Sequence, residues 1–148
     1  MVETVEDPQQ EAQYLRSRFS VSAERLTARG RSLQMLLLDR RCTSCWGTLL
    51  QSPDGGRNVK AAEHMRRIAK QCSTTPDFIH PDMPLAEAIF RTLLANGNKP
   101  MTTEDIYLAL DERWVDPINP RIPTVEGVYR ILSTDTFYGI VKEVPAES

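Results

Sequence analysis

Pro117, Pro120 and Pro123 fall between two segments that each carry an apolar stripe at helical spacing. Each proline removes a backbone donor and fixes φ at about −65°, so no helix runs comfortably through them. Asn96–Gly97 and Pro100 impose a second break upstream, and Asn-Gly suits a left-handed C-cap. The last part of the chain must therefore fold as short helices joined by turns. Leu85, Ala88, Ile89, Thr92 and Leu93 mark the first helix, over Leu85–Ala95. Thr102 and Asp105 stand at capping-box spacing, with Thr103 as the competing cap. The helix they open reaches about Glu112 and buries Ile106, Leu110 and Tyr107. Thr124 caps a third helix over about 125–132, whose apolar positions are Val125, Val128, Ile131 and Leu132. Phe137–Val144 then reads as a strand. A short partner for it lies at Arg121–Pro123 or at Lys99–Thr102.

The N-terminal half is less sharply patterned. Pro8 opens a helix with Ala12, Leu15 and Phe19 as its apolar face. Ser20 or Ser22 caps a helix over roughly 22–38, with Leu26, Leu33, Met35, Leu36 and Leu37 as buried candidates and Gly30 as a bend or break. Trp46–Gln51 reads as a short strand and SPDGG, 52–56, as a turn. Asn58 is the candidate cap of a helix over about 59–71. Ala62, Met65, Ile68 and Ala69 lie on one side of it, and Arg66, Arg67 and Lys70 on the other. STTPDFIHPDMP, 73–84, is a loop that Phe78 and Ile79 can pin to either neighbour. The expected fold is mainly α with a small β element. A helical region spans 9–75, a linker or ordered loop spans 76–84, and a C-terminal unit spans 85–144.

Charge divides along the same line. Residues 1–82 carry 12 Lys/Arg against 10 Asp/Glu, and residues 83–148 carry 6 against 10. All 12 of the first group lie within 16–70, where only four acidic residues oppose them. Such a surface attracts phosphate, or is simply a solvated helical face.

The order helix, turn, helix, long loop, helix, strand resembles a winged helix-turn-helix domain. The phrase PMTTEDIYLAL, with its flanking segments, resembles the helix-turn-helix module of the bacterial RNA polymerase delta subunit and of domains fused to restriction and chromatin proteins. The resemblance covers roughly 83–144. It implies that LAEAIFRTLLAN is the first helix, TTEDIYLAL the second and TVEGVYRIL the recognition helix, with FYGIVKEV as the wing or its returning strand. It further implies double-stranded DNA in the major groove. Arg121, before the third helix, and Arg130, within it, are candidate phosphate or base contacts, or ordinary salt-bridged or solvated cations, and the basic 16–70 region adds Arg66, Arg67 and Lys70. Three features depart from that pattern. The third helix begins TVEG rather than with Arg, Asn or Gln; the unit is net acidic; and Lys142 is the wing's single basic residue. These features suit the alternative, a protein-interaction module with a protein of the transcription machinery as partner. Leu15, Phe19 and LQMLLL, 33–38, offer a homodimer surface or an intrachain core.

CTSC, 42–45, supplies two thiols at the close spacing that zinc sites use. Cys72 is the third donor, and His80 and His64 compete as the fourth. On one straight helix, His64 and Cys72 stand about 12 Å apart, so Cys42, Cys45, Cys72 and His80 form the candidate set for a structural zinc. Ordinary thiols and redox chemistry are the alternatives.

An enzyme is not expected. Gly55–Gly56 lacks the Lys-Ser/Thr ending of a nucleotide loop, and neither HExxH nor GxSxG occurs. Glu104–Asp105 and Asp111–Glu112 are explained by capping and dipole compensation. The longest apolar run is far too short to span a membrane. MVETVEDPQQ lacks a secretory pattern, and three cysteines fit a reducing cytoplasm better than a disulfide-built fold.

Overall fold

A computed structural model describes residues 16–114 and 123–143. It is mainly α-helical with a small three-stranded antiparallel sheet. In chain order the elements are β1 (Arg18–Val21), α1 (Ala23–Ala28), α2 (Leu33–Leu38), α3 (Thr43–Leu49) and α4 (Ala61–Lys70). A 3₁₀ turn at Cys72–Thr74 follows, then α5 (Leu85–Ala95), β2 (Met101–Thr102), α6 (Thr103–Arg113), α7 (Val125–Thr134) and β3 (Ile140–Lys142).

The C-terminal helices start and stop where their side chains dictate. The Thr102 hydroxyl accepts the Asp105 N–H at 3.0 Å and the Asp105 carboxylate accepts the Thr102 N–H at 3.2 Å, completing the capping box. Thr103, the competing cap, is instead buried inside α6. Thr124 caps α7 through the Gly127 N–H. Gly97 takes φ +71° after α5, the left-handed termination that Asn96–Gly97 foretells. α5 is the central helix, with Ala88, Ile89, Phe90, Leu93 and Leu94 all buried. It packs against α4, α6, α7 and β1. Burying each large apolar side chain contributes roughly 1.5–3 kcal/mol.

The sheet differs from expectation. Its order is β2–β1–β3, with Phe19 opposite both Met101 and Lys142. Phe19 therefore lies on the central strand and not on a helical face. Phe19 and Val21 point into the core while Arg18 points outward, the period-2 alternation of a half-buried strand. β2, within the expected Lys99–Thr102 stretch, pairs with β1 and not with the terminal strand. One continuous core joins the two halves, running from Phe19 and Leu37 through Ile89 and Leu93 to Leu132 and Ile140.

Other corrections are local. The segment at Gly30 breaks into two helices, α1 capped by Ser22 and α2 by Ser32. Met35 is exposed and Leu38 takes the buried place. Trp46–Gln51 is not a strand: α3 covers most of it because Cys45 and Leu49, four residues apart, both face the core. Lys60, rather than Asn58, stands at the N-cap of α4. The 73–84 loop is pinned as foreseen, since Phe78 and Ile79 are buried and the Trp114 indole N–H donates to the Ile79 carbonyl at 3.2 Å. Tyr129 is half-buried, edge-on to Phe19. No helix among the described residues is long and apolar enough to cross a membrane.

Candidate metal centre

Cys42 is the N-cap of α3 and Cys45 lies in its first turn. That three-residue offset puts both side chains on one side of the helix, and their sulfurs stand 3.6 Å apart. α4 runs back across α2 and ends at Lys70, so the following turn delivers Cys72 to the same place. The Cys72 sulfur is 3.6 Å from that of Cys45 and accepts the Cys42 N–H at 3.1 Å. All three sulfurs lie within 4.8 Å of one another, and all three cysteines are free thiols.

These separations fit a metal. Thiolates bound at about 2.3 Å around a tetrahedral zinc lie roughly 3.8 Å apart, close to the observed spacings. A disulfide needs sulfurs at about 2.05 Å. Cys45 and Cys72 are buried, and Cys42 is half-buried. Burial opposes ionisation of Cys42, but the Cys45 amide, the Cys72 and Cys45 side chains and the Ser44 amide outweigh it and lower its pKa. Burial pushes the Cys72 thiol up. A bound cation would reverse that cost, because thiolate is the ligating form.

His80 does not join the three sulfurs. Its Nδ1 accepts the Asp82 N–H at 3.0 Å and lies 3.6 Å from the Asp82 carboxylate. Pro81 and Asp82 thus fold the loop back on His80, a local turn that sequence spacing conceals. The four-residue set reduces to Cys42, Cys45 and Cys72. His64 is also elsewhere: fully buried on α4, with its Nδ1 2.8 Å from Nη1 of Arg41. Guanidinium only donates, so Nδ1 is the acceptor and the ring proton belongs on Nε2. Burial first, and the Arg41 charge second, lower the His64 pKa and so favour the neutral ring.

The described basic candidates fall on two helices, Arg66, Arg67 and Lys70 on α4 and Arg130 on α7. Arg66 and Arg67 both pair with Glu63, at 2.7 and 2.8 Å, on the exposed side of α4. Lys70 is exposed at the end of that helix, and Arg130 is exposed on α7. Arg121 lies outside the described residues. Sequence reasoning missed a second polar centre. The Glu87 carboxylate accepts from Arg40 at 2.8 and 2.9 Å, from Arg91 at 2.7 Å and from the Tyr138 hydroxyl at 2.8 Å. The Glu87–Arg91 spacing of four on a helix was its one visible trace.

Compared with family models, curated proteins and solved structures, the chain matches none.

Proposed function

We propose that the chain is a non-enzymatic regulatory module that binds double-stranded DNA through α7 and the adjoining arginines. What supports this best is the surface around the C-terminus of α7. That helix buries Val128 and Leu132 and leaves Glu126, Arg130, Ser133 and Thr134 exposed. The next residues are held by Arg31, whose Nη1 donates to the carbonyls of Thr136 and Phe137 at 3.2 and 3.4 Å. The Arg31 guanidinium also lies 4.1 Å over the Phe137 ring. Arg25 and Arg29 are exposed on and just after α1, which the Ser22–Gly139 backbone bond fastens to the same segment. In this reading the arginines neutralise phosphate while polar groups of α7 meet base edges. Lys70 adds charge, and Arg66 and Arg67 add less because Glu63 offsets them. Cys42, Cys45 and Cys72 hold a zinc ion that ties α3 to the end of α4.

The test is binding of a labelled duplex at 50 and 200 mM salt. Affinity falls steeply with salt, and Arg25→Ala, Arg29→Ala and Arg130→Ala each reduce the salt slope by about one for every phosphate left without its arginine. Folded protein that fails to bind at the lower salt ends the DNA reading.

One observation favours the second reading, a protein-interaction module. Met35 and Leu50 are exposed, Leu50 by 68%, and they line one cleft with Trp46. Such a patch suits a protein of the transcription machinery or a second copy of this chain. Leu50→Asp would then abolish partner binding and leave duplex binding unchanged.

A further inference from the structure

We propose that the cysteine centre, once it holds zinc, keeps one coordination position for a small thiolate from solution. This rests on the zinc reading above. The chain has three cysteines and two histidines, and all five lie among the described residues. Three are the clustered sulfurs. His80 is turned to Asp82, and His64 receives Arg41. No further thiolate or imidazole exists in the chain to complete four. Structural zinc sites close with four Cys or His donors, whereas three protein donors with one exchangeable position characterise sites that take ligands from outside.

The surroundings supply a route. Cys42 is the half-buried member of the three. It lines a cleft of about 450 Å³ together with Arg41, Thr43, Ser44, Thr75 and Asp77. A water molecule takes up about 30 Å³, so the cleft admits a small organic molecule. Arg41 also lines a second cleft, of about 260 Å³, that reaches Cys45. The other arginines on the first cleft, Arg40 and Arg91, are bonded to Glu87. Arg41 instead meets the imidazole of His64, which leaves its charge to act on whatever enters beside Cys42 and Cys45. A soft sulfur donor matches the three already present. On binding, the thiol gives its proton to solvent as its sulfur replaces water on the metal.

The experiment uses the full chain, prepared without thiol and loaded with Co(II) in place of zinc. Mercaptoethanol is added while the sulfur-to-cobalt and d–d absorptions are followed. One Co(II) binds per chain with the spectrum of three sulfur ligands, and the thiol moves it saturably to that of four. Arg41→Ala weakens thiol binding about fivefold without changing the metal stoichiometry, and Arg41→Lys restores it. A cobalt spectrum that ignores the thiol overturns the open position and leaves the zinc reading intact. A four-sulfur spectrum before any thiol is added, with two chains sharing one metal, also overturns it. Failure to bind Co(II) at all overturns both.

Discussion

Asn98 satisfies both backbone polar groups of Val21. Its Oδ1 accepts the Val21 N–H at 2.8 Å, and its Nδ2 donates to the Val21 carbonyl at 2.9 Å. The side-chain amide thereby prolongs the β1–β2 ladder beyond the two residues of β2. Asn98 takes φ +60° to do so, a conformation that asparagine tolerates better than most residues. Asn98→Ala leaves a donor and an acceptor of a buried strand residue without partners. The expected loss is about 2 kcal/mol, read as a lowered denaturation midpoint with an unchanged m-value. Asn98→Asp keeps only the acceptor and sets a carboxylate against the Val21 carbonyl, so it is expected to be no more stable than the alanine variant.

Glu87 is the next position to test. Its side chain is 14% exposed and serves two arginines, Arg40 and Arg91, and the hydroxyl of Tyr138. Glu87→Ala strands both guanidinium groups at a largely buried site and should cost about 3–5 kcal/mol. Tyr138→Phe removes one hydrogen bond to the carboxylate and should cost about 1.5–3 kcal/mol. Urea unfolding of both variants checks the order. A Glu87→Ala protein as stable as the parent would mean that the cluster contributes nothing.

The same carboxylate sets an acid limit. Burial alone would raise the Glu87 pKa, but Arg40, Arg91 and Tyr138 override it and hold it at about 2, against an ordinary 4.5. A depressed folded-state pKa contributes stability that is present above about pH 4.5 and is lost as pH falls towards 2. The shift corresponds to roughly 3 kcal/mol. Thermal unfolding between pH 7 and 2 should show that loss, and Glu87→Gln should flatten the acid limb. Tyr138 acts at the other end. Burial, then Glu87, raise its pKa to about 12, so its contribution is complete below about pH 10 and lost as pH climbs through 12.

Gly139 has φ +73°, and a Cβ built on it would lie 2.6 Å from Leu26 Cγ and 3.1 Å from the Ser22 carbonyl. Gly139→Ala therefore combines backbone strain with overpacking against a fully buried leucine. A loss of about 2–4 kcal/mol is expected, measured by chemical denaturation. A Leu26→Ala background, which removes the obstructing side chain, should reduce the penalty of the second change.

For the metal centre, zinc is expected to raise the melting temperature and a chelator to lower it. Cys42→Ser, Cys45→Ser and Cys72→Ser should each abolish that response, whereas His80→Ala should not. Elemental analysis of protein purified without chelator gives the stoichiometry. Zinc retained equally by all three cysteine variants would count against the site.

The C-terminal helices were legible because short-range chemistry defines them. Thr102 with Asp105, Thr124 with Gly127, and Asn96–Gly97 each act within a few residues. β1 was hidden because its four residues have strand character only once Met101 and Ile140–Lys142 arrive on either side. Phe19 alone fits a helix or a strand equally well. WGTLLQ likewise has a strand's composition, and only burial against the core selects the helical spacing of Cys45 and Leu49. CTSC declared two of the three clustered thiols by spacing. Cys72 was reachable because it follows the helix whose end positions it. His80 was not excluded by sequence, since the turn through Pro81–Asp82 that redirects it is a property of the folded loop.

A growing chain makes β1 early and must carry it without hydrogen-bonding neighbours until residues 101–102 and then 140–142 have been synthesised. Both hydrogen-bonding edges of β1 stay unpaired through that interval. Final closure therefore waits for residues 140–142, and the entropy of joining distant segments makes it slow compared with the winding of α5 or α6. A stalled or prematurely ended product would display an open strand edge, which is a template for aggregation.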